Sequence, residues 1–117
     1  MSNFADTAAD APLVWHDVGE PDDFPDGAAW PVVADGVAIV VIRQGETLHA
    51  LHDKCTHGDA RLSDGYIENG CVECPLHQGL FDLRTGSPCG GPASEAVQVF
   101  PIQVFTGRVR VAVAPAA

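Results

Sequence analysis

Two short stretches near the middle of the chain restrict what it can fold into more than any other feature. They are CTHGDA at 55–60 and CPLHQG at 74–79, and each begins with a cysteine followed by a histidine two or three positions later. Thiolate and imidazole are side chains that proteins use to bind zinc and iron. The fold is therefore expected to bring two loops together around one metal centre. The four candidate ligands are Cys55, His57, Cys74 and His77.

The spacing of these ligands bears on which metal they bind. Structural zinc sites typically use C-x-x-C and H-x(3–5)-H pairs, in which one short loop holds a single ion. Here each loop supplies one cysteine and one histidine, as C-x-H and then C-x-x-H. This arrangement suits a cluster of two irons, in which one iron takes both cysteines and the other takes both histidines. A structural zinc module that binds a partner protein is the alternative.

The rest of the chain is predicted to form short β-strands separated by turns rich in glycine and proline. VAIVVIR (37–43) is a continuous apolar run, so it is expected to be covered on both faces. Asn69-Gly70 is a strong two-residue hairpin signal inside YIENGCVE (66–73). The other predicted strands are LVWHDV (13–18), AAWPVV (28–33), TLHALH (47–52), VQVFPIQVF (97–105) and RVRVAV (108–113).

These patterns predict an all-β protein. Pro101 lies inside a predicted strand, so that strand is expected to be at a sheet edge or to contain a bulge. No helical periodicity extends over ten residues. Short strands at close spacing indicate an antiparallel sandwich or barrel. We expect one domain over 13–117, preceded by a flexible leader at 1–12.

Charge and composition exclude several classes of partner. The 117 residues include 16 Asp and Glu against 6 Lys and Arg, a net charge of −10. Nucleic acid and anionic membranes are recognised by basic patches, so neither is an expected partner. No apolar run is long enough to span a bilayer, and the start lacks the pattern of a secretory signal, so we expect a cytoplasmic protein. Four cysteines in such a protein suggest metal binding or reactive thiols before disulfides.

The segment CTHGDARLSDG…ECPLHQGLFD resembles the Rieske 2Fe–2S motif, C-x-H…C-x-x-H. From about residue 13 the chain is similar to the small Rieske ferredoxins of bacterial ring-hydroxylating dioxygenase systems. The resemblance implies a β-sandwich or barrel with a small cluster-binding subdomain at about 53–92, made of two ligand loops and a covering proline loop that contains Pro92. It implies one cluster, with Cys55 and Cys74 on the inner iron and His57 and His77 on the outer, solvent-facing iron. Gly58 and Gly79 would let the main chain approach the sulfides, as would Gly65, Gly90 and Gly91; for Gly65 and Gly91 an ordinary turn is the alternative.

The chain departs from the high-potential Rieske proteins at four positions. Those proteins carry an extra cysteine in each ligand loop, where this chain has Ala60 and Leu76. They also carry a serine and a tyrosine whose hydroxyls donate to sulfur, where this chain has Gly79 and Phe81. Fewer donors to sulfur stabilise the reduced state less, so we predict a potential on the order of −150 mV, at the bottom of the Rieske range.

The other cysteines, histidines and tryptophans are assigned packing or surface roles. Cys71 is expected to be a small buried side chain, Cys89 to pack near the proline loop, and a disulfide between them is not expected in the cytosol. Trp15 and Trp30 are expected to anchor the core. Surface or hydrogen-bonded core positions are expected for His16, His49 and His52.

The predicted function is electron transfer and not catalysis. The chain has no nucleotide-, flavin- or nicotinamide-binding motif and no second metal site. The resemblance implies a one-electron shuttle that accepts electrons from a flavin-containing NAD(P)H-dependent reductase and passes them to a Rieske-type terminal oxygenase. Electrons are expected to leave through His57 and His77, with Asp59, Asp64 or Glu73 meeting basic residues of the partner. The small subunit of a nitrite reductase is the alternative of the same kind.

Overall fold

The computed structural model describes residues 13–56, 60–76, 79–90 and 95–114. The predicted leader at 1–12 and several predicted site residues, His57, Gly58, Asp59, His77, Gly91 and Pro92, lie outside these ranges. The described residues form antiparallel β-sheets and contain no helix that could cross a membrane. The strands within the described ranges are β1 (Val14–Gly19), β2 (Ala29–Ala34), β3 (Val37–Gln44), β4 (Thr47–His52), β5 (Tyr66–Glu68), β6 (Cys71–Glu73), β7 (Leu80–Asp82), β8 (Pro88–Gly90), β9 (Ile102–Phe105) and β10 (Arg108–Val113).

The first sheet has the order β2-β3-β4 and contains the most apolar strand. Asp35 and Gly36, with φ of 53° and 78°, form the hairpin turn between β2 and β3. Four consecutive residues of β3, Ile39 to Ile42, are 0% exposed, which confirms that this strand is covered on both faces. Because side chains alternate along a strand, Val40 and Ile42 face one buried cluster while Ile39 and Val41 face another.

The second sheet has the order β1-β10-β9 and packs against one face of β3. Thr106 and Gly107, with φ of 49° and 78°, turn the chain from β9 into β10. β9 begins at Ile102 and is an edge strand, so Pro101 lies just before a strand that is shorter than the predicted 97–105. The edge position of β9 is the one predicted from Pro101, whereas the placement of Pro101 inside the strand is wrong.

Neither tryptophan anchors the core, so that prediction is wrong. Trp15 is 38% exposed and Trp30 is 47% exposed. Strand alternation places Trp15 on the outer side of β1, where the Arg110 guanidinium lies 5.5 Å from the centre of its ring and 4.5 Å from that of Phe105. Trp30 lies on β2, which is an edge strand among the described residues and pairs with β3 alone there.

The third sheet has the order β5-β6-β7-β8 and packs against the other face of β3. Asn69 and Gly70, with φ of 50° and 80°, form the turn between β5 and β6, which confirms the predicted hairpin. β7 and β8 were not predicted, because runs of three residues carry too little periodicity to be recognised. This sheet carries the second ligand loop.

Candidate metal centre

The two candidate cysteine ligands occupy the same buried cluster. Cys55 follows β4 after a two-residue connection and is 2% exposed, and Cys74 follows β6 directly and is 0% exposed. Both belong to the cluster formed by the third sheet and one face of β3, together with Phe81. The fold thus brings together the first ligand of each loop, although the loops follow strands of different sheets.

Each ligand loop is closed at its base by the same main-chain hydrogen bond. The N–H of Cys55 donates to the carbonyl oxygen of Ala60 at 2.9 Å, and the N–H of Cys74 donates to that of Gly79 at 2.7 Å. Both bonds enclose four residues, and those four include His57 in one loop and His77 in the other. Two loops of equal size therefore start from buried thiols, as the paired ligand pattern requires.

The imidazole ligands are not placed by the structure, since both histidines lie outside the described residues. Among the residues that are described, no three metal-binding side chains converge. The complete ligand set therefore stays a prediction, of which the structure places the cysteine half. Buried thiols at the start of matched loops fit the demands of a group held by thiolates away from water.

A buried carboxylate joins the first ligand loop to the segment between the loops. Asp53 lies two residues before Cys55, and its side chain is 1% exposed. It accepts hydrogen bonds from the N–H and the hydroxyl of Ser63, both at 2.7 Å, and its oxygen lies 3.6 Å from Nε of Arg61. The main-chain N–H of Asp53 donates to the carbonyl of Ala38 on β3. Sequence analysis missed this residue, although its position beside a candidate ligand was a usable signal.

Gly65 allows the same inter-loop segment to pack against the second ligand strand. A Cβ on Gly65 would lie 1.9 Å from the carbonyl oxygen of Glu73, the residue before Cys74. An ordinary turn would not require this absence of a side chain, so Gly65 is needed for close backbone approach. The approach that the structure shows is to the main chain of Glu73.

The first ligand loop also contacts the segment that follows the predicted proline loop. The hydroxyl of Thr56 donates to the carbonyl oxygen of Glu95 at 2.8 Å. Gly90, the last residue of β8, and Glu95 are the described residues on either side of 91–94. The far end of that segment is therefore fixed beside Cys55, while Pro92 itself lies outside the described residues.

The four positions that differ from high-potential Rieske proteins carry no sulfur and no hydroxyl. Leu76 is 54% exposed, and Ala60 packs against the cysteine cluster. Phe81 is 0% exposed in the cluster that holds both cysteines, and Gly79 closes the second loop through its carbonyl. The surroundings of the thiols are therefore apolar on the side of Phe81, where a hydroxyl donor is absent.

The separate packing roles predicted for Cys71 and Cys89 are wrong. The two residues form a disulfide in the structure, with their Cα atoms 7.4 Å apart. Cys89 is exposed and Cys71 is half-buried, so neither is a core residue. The pairing could not be inferred from the sequence because β8, which carries Cys89, was not predicted.

His49 is a core histidine, but it is not a hydrogen-bonded one. It is 8% exposed, and its Nε2 has no hydrogen-bond partner among the described residues. Burial lowers the pKa of His49, an effect that Arg84 reinforces and Asp82 opposes. His16 is half-buried on β1 and His52 half-buried on β4.

Comparison with known proteins identifies the architecture that surrounds these loops. Residues 14–101 match the family model described as Rieske [2Fe-2S] domain. The chain is 52% identical over 97 residues to the anthranilate 1,2-dioxygenase ferredoxin subunit of Burkholderia cepacia, which covers 83% of this chain and 90% of that protein.

Solved structures agree with this match. The chain superposes with a TM-score of 0.82 and 34% identity on a chain from the complex of reduced oxygenase and oxidised ferredoxin in carbazole 1,9a-dioxygenase, covering 91% of this chain and 99% of that one. It also superposes with a TM-score of 0.80 and 25% identity on a protein of Mycobacterium tuberculosis described as the small subunit of an NADH-dependent nitrite reductase. The superposition covers 90% of this chain and 99% of that one.

Proposed function

The chain belongs to the family of Rieske [2Fe-2S] domains, and on that premise we propose that it is the electron-carrying ferredoxin of an aromatic-ring-hydroxylating dioxygenase system. The observation that carries the proposal is the pair of buried cysteines on matched loops, in a chain whose similarity spans nine-tenths of a ferredoxin subunit. The cofactor is a [2Fe-2S] cluster, which supplies one-electron chemistry when bound. The chain itself is not an enzyme.

The ligand assignment is part of the proposal. Cys55 and Cys74 would hold the inner iron, because their buried thiols lie in the apolar cluster behind the loops. His57 and His77 would hold the outer iron and give electrons their exit. One cluster per chain is proposed, since each of the two loops offers one ligand of each kind.

The chain's own residues protect the ligands and present them to a partner. The apolar wall that includes Phe81 keeps water from the thiols, and the hydrogen bonds at the loop bases fix where the loops begin. Leu76, 54% exposed, precedes His77 directly, and Tyr66, 66% exposed, lies opposite Glu73 in the β5–β6 hairpin. These two side chains give the end of the third sheet near Cys74 an apolar contact surface.

We propose two partners, a flavoprotein reductase that uses NAD(P)H and a Rieske-type terminal oxygenase, with all three in the cytoplasm. Support for the oxygenase comes from the carbazole dioxygenase complex, in which a similar ferredoxin is bound to its oxygenase. Asp64 is exposed and Glu73 half-exposed at the same end of the sheet. In a chain whose net charge is −10, these carboxylates would meet basic residues of the partner.

The direct experiment mixes the purified chain with a candidate reductase, NADH and a terminal oxygenase, and measures product formation. Product should appear only when all components are present, and the rate of electron transfer should fall as salt shortens the Debye length from about 10 Å at 0.1 M to about 3 Å at 1 M. Asp64→Asn and Glu73→Gln should each lower the rate at low salt, with Glu46→Gln, in a turn of the first sheet, as the control. An oxygenase that turns over equally well without the chain would contradict the proposal.

The second candidate is a small subunit of a nitrite reductase, favoured by the superposition at 25% identity. It is distinguished by its partner. A nitrite reductase subunit would bind a sirohaem protein stably and would not support ring hydroxylation. The 52% identity to an anthranilate dioxygenase ferredoxin favours the dioxygenase assignment.

A further inference from the structure

Two cysteines outside the predicted ligand set lie next to each other on non-adjacent strands. Cys71 is the first residue of β6 and Cys89 is the middle residue of β8, and β7 lies between those strands. Their sulfur atoms are bonded in the structure, and their Cα atoms are 7.4 Å apart. Cys89 is exposed and Cys71 half-buried, so the pair can be reached from solvent.

An irregularity in the sheet accounts for the short distance. Neighbouring strands are about 4.8 Å apart, so residues two strands apart in a regular sheet are about 10 Å apart. The Cα atoms of Cys71 and Cys89 are closer, at 7.4 Å, which is just above the usual disulfide range of about 4.4–6.8 Å, so closing the bond needs a small movement of the main chain. Here Leu80 pairs with Gly90 and Phe81 with Pro88, which leaves Cys89 as an extra residue on β8. Such a bulge redirects a side chain, and this one brings Cys89 towards Cys71.

We propose that Cys71 and Cys89 are a reversible thiol-oxidation site, which exchanges with low-molecular-weight disulfides such as glutathione disulfide. The exposed Cys89 thiolate attacks one sulfur of glutathione disulfide, the S–S bond breaks, and one glutathione thiolate leaves. The Cys71 thiolate then attacks the Cys89 sulfur of the mixed disulfide and releases the second glutathione. Two protein thiols are oxidised, one glutathione disulfide is reduced to two glutathione molecules, and the thiol protons pass to them.

The bond has a structural consequence for the sheet that carries the second ligand loop. Cys71 begins β6, which leads directly into Cys74, and Cys89 lies on β8, an edge strand of the same sheet. Joining β8 to β6 restrains the strand from which the second ligand loop starts. Oxidation of the pair should therefore slow the loss of a cluster held by that loop. This consequence depends on the proposed function, whereas formation of the bond does not.

The first test counts thiols on the holoprotein, purified anaerobically and incubated with graded ratios of glutathione disulfide to glutathione. After alkylation and proteolysis, mass spectrometry should show Cys71 and Cys89 linked in one peptide pair, and reduced glutathione should reverse the link. Cys71→Ser should instead accumulate glutathione on Cys89, because the second attack is lost. Wild-type protein in which both cysteines carry glutathione would overturn the proposal. So would wild-type protein in which neither cysteine carries glutathione and the two are not linked.

The second test measures the rate at which an iron chelator bleaches the holoprotein in the oxidised and reduced states of the pair. Bleaching should be several-fold slower in the oxidised state, and the double variant Cys71→Ser/Cys89→Ser should give one rate under both conditions. Equal wild-type rates would overturn the effect on the sheet that carries the second ligand loop. A chain that links Cys71 to Cys89 but holds no iron would contradict the proposed function, while the proposal of an oxidation site would still be supported.

Discussion

The carboxylate of Asp53 receives two hydrogen bonds of 2.7 Å from Ser63, one from its main-chain N–H and one from its hydroxyl. Because Asp53 lies two residues before Cys55, this contact ties the segment between the ligand loops to the start of the first loop. The carboxylate is almost fully buried, so its loss would leave the half-buried donors of Ser63 without this partner.

Asp53→Ala should lower the free energy of unfolding by about 1–3 kcal/mol, the usual cost of leaving buried polar groups unsatisfied. It should also speed loss of the cluster to a chelator. Ser63→Ala is the matched control, since it removes one hydrogen bond and keeps the main-chain donor, and it should cost about 1 kcal/mol. Urea unfolding that gave equal midpoints for Asp53→Ala and wild type would show that the contact does not support the loop.

Gly65→Ala should be strongly destabilising, because the new methyl group would overlap the carbonyl oxygen of Glu73. We expect a loss of about 2–3 kcal/mol, with the main chain before Cys74 displaced. Gly36→Ala is the control, since a Cβ there meets nothing within 4 Å and only the positive φ is unfavourable, at about 1 kcal/mol. Thermal unfolding of the two variants measures the difference, and a smaller loss at Gly65 than at Gly36 would refute the close-approach role.

Phe81→Tyr should raise the reduction potential. Phe81 is fully buried in the cluster that contains both cysteines, and a hydroxyl at this position would add a donor to sulfur that a phenylalanine side chain cannot provide. A neutral hydrogen bond worth about 1 kcal/mol to the reduced state corresponds to a rise of about 40 mV for one electron.

Phe100→Tyr is the matched control for this change. Phe100 is also buried, but it lies in the other core, between the first two sheets, so its hydroxyl should leave the potential unchanged. Redox titration of both variants beside the wild type, whose potential we place on the order of −150 mV, measures the effect. Equal shifts in the two variants would contradict a local role for position 81.

His49 should make the fold less stable in mild acid. Burial lowers its pKa in the folded state, so the unfolded chain binds a proton near pH 6.5 more readily than the folded one. Protonation of His49 therefore does not affect the free energy of unfolding above that pH. As pH falls through about 6.5, the free energy of unfolding decreases.

The variant His49→Gln should reduce that loss. Urea midpoints measured at pH 7.5 and pH 5.5 should differ less for the variant than for the wild type. An unchanged difference would mean that other groups, such as the carboxylates, account for the acid sensitivity.

The strands that the sequence predicted well are those with either strict alternation or a clear turn. RVRVAV forms β10 at 108–113 and TLHALH forms β4 at 47–52, and the Asn69-Gly70 turn is where it was expected. The three-residue strands β7 and β8 were not predicted, because a segment that short is stabilised by its neighbouring strands and has too few residues to show a periodic pattern.

Burial and long-range contact were harder to predict than strand position. Hydrophobicity suggested that Trp15 lay inside, but its place on the outer face of β1 depends on pairing with β10, far away in the sequence. The Cys71–Cys89 contact depends on a bulge that no local signal marks. The candidate ligands could be named because metal chemistry restricts residue type and spacing. The partners of the buried Asp53 could not be named, because these contacts form only in the folded chain.

The central claim is that one [2Fe-2S] cluster is held by two thiolates and two imidazoles. Electron paramagnetic resonance with nitrogen hyperfine spectroscopy, on anaerobically purified protein reduced with dithionite, tests it most directly. We predict one unpaired electron per chain, coupled to the ring nitrogens of His57 and His77. A reduced protein with no paramagnetic signal, or with a signal that shows no nitrogen coupling, would contradict the account.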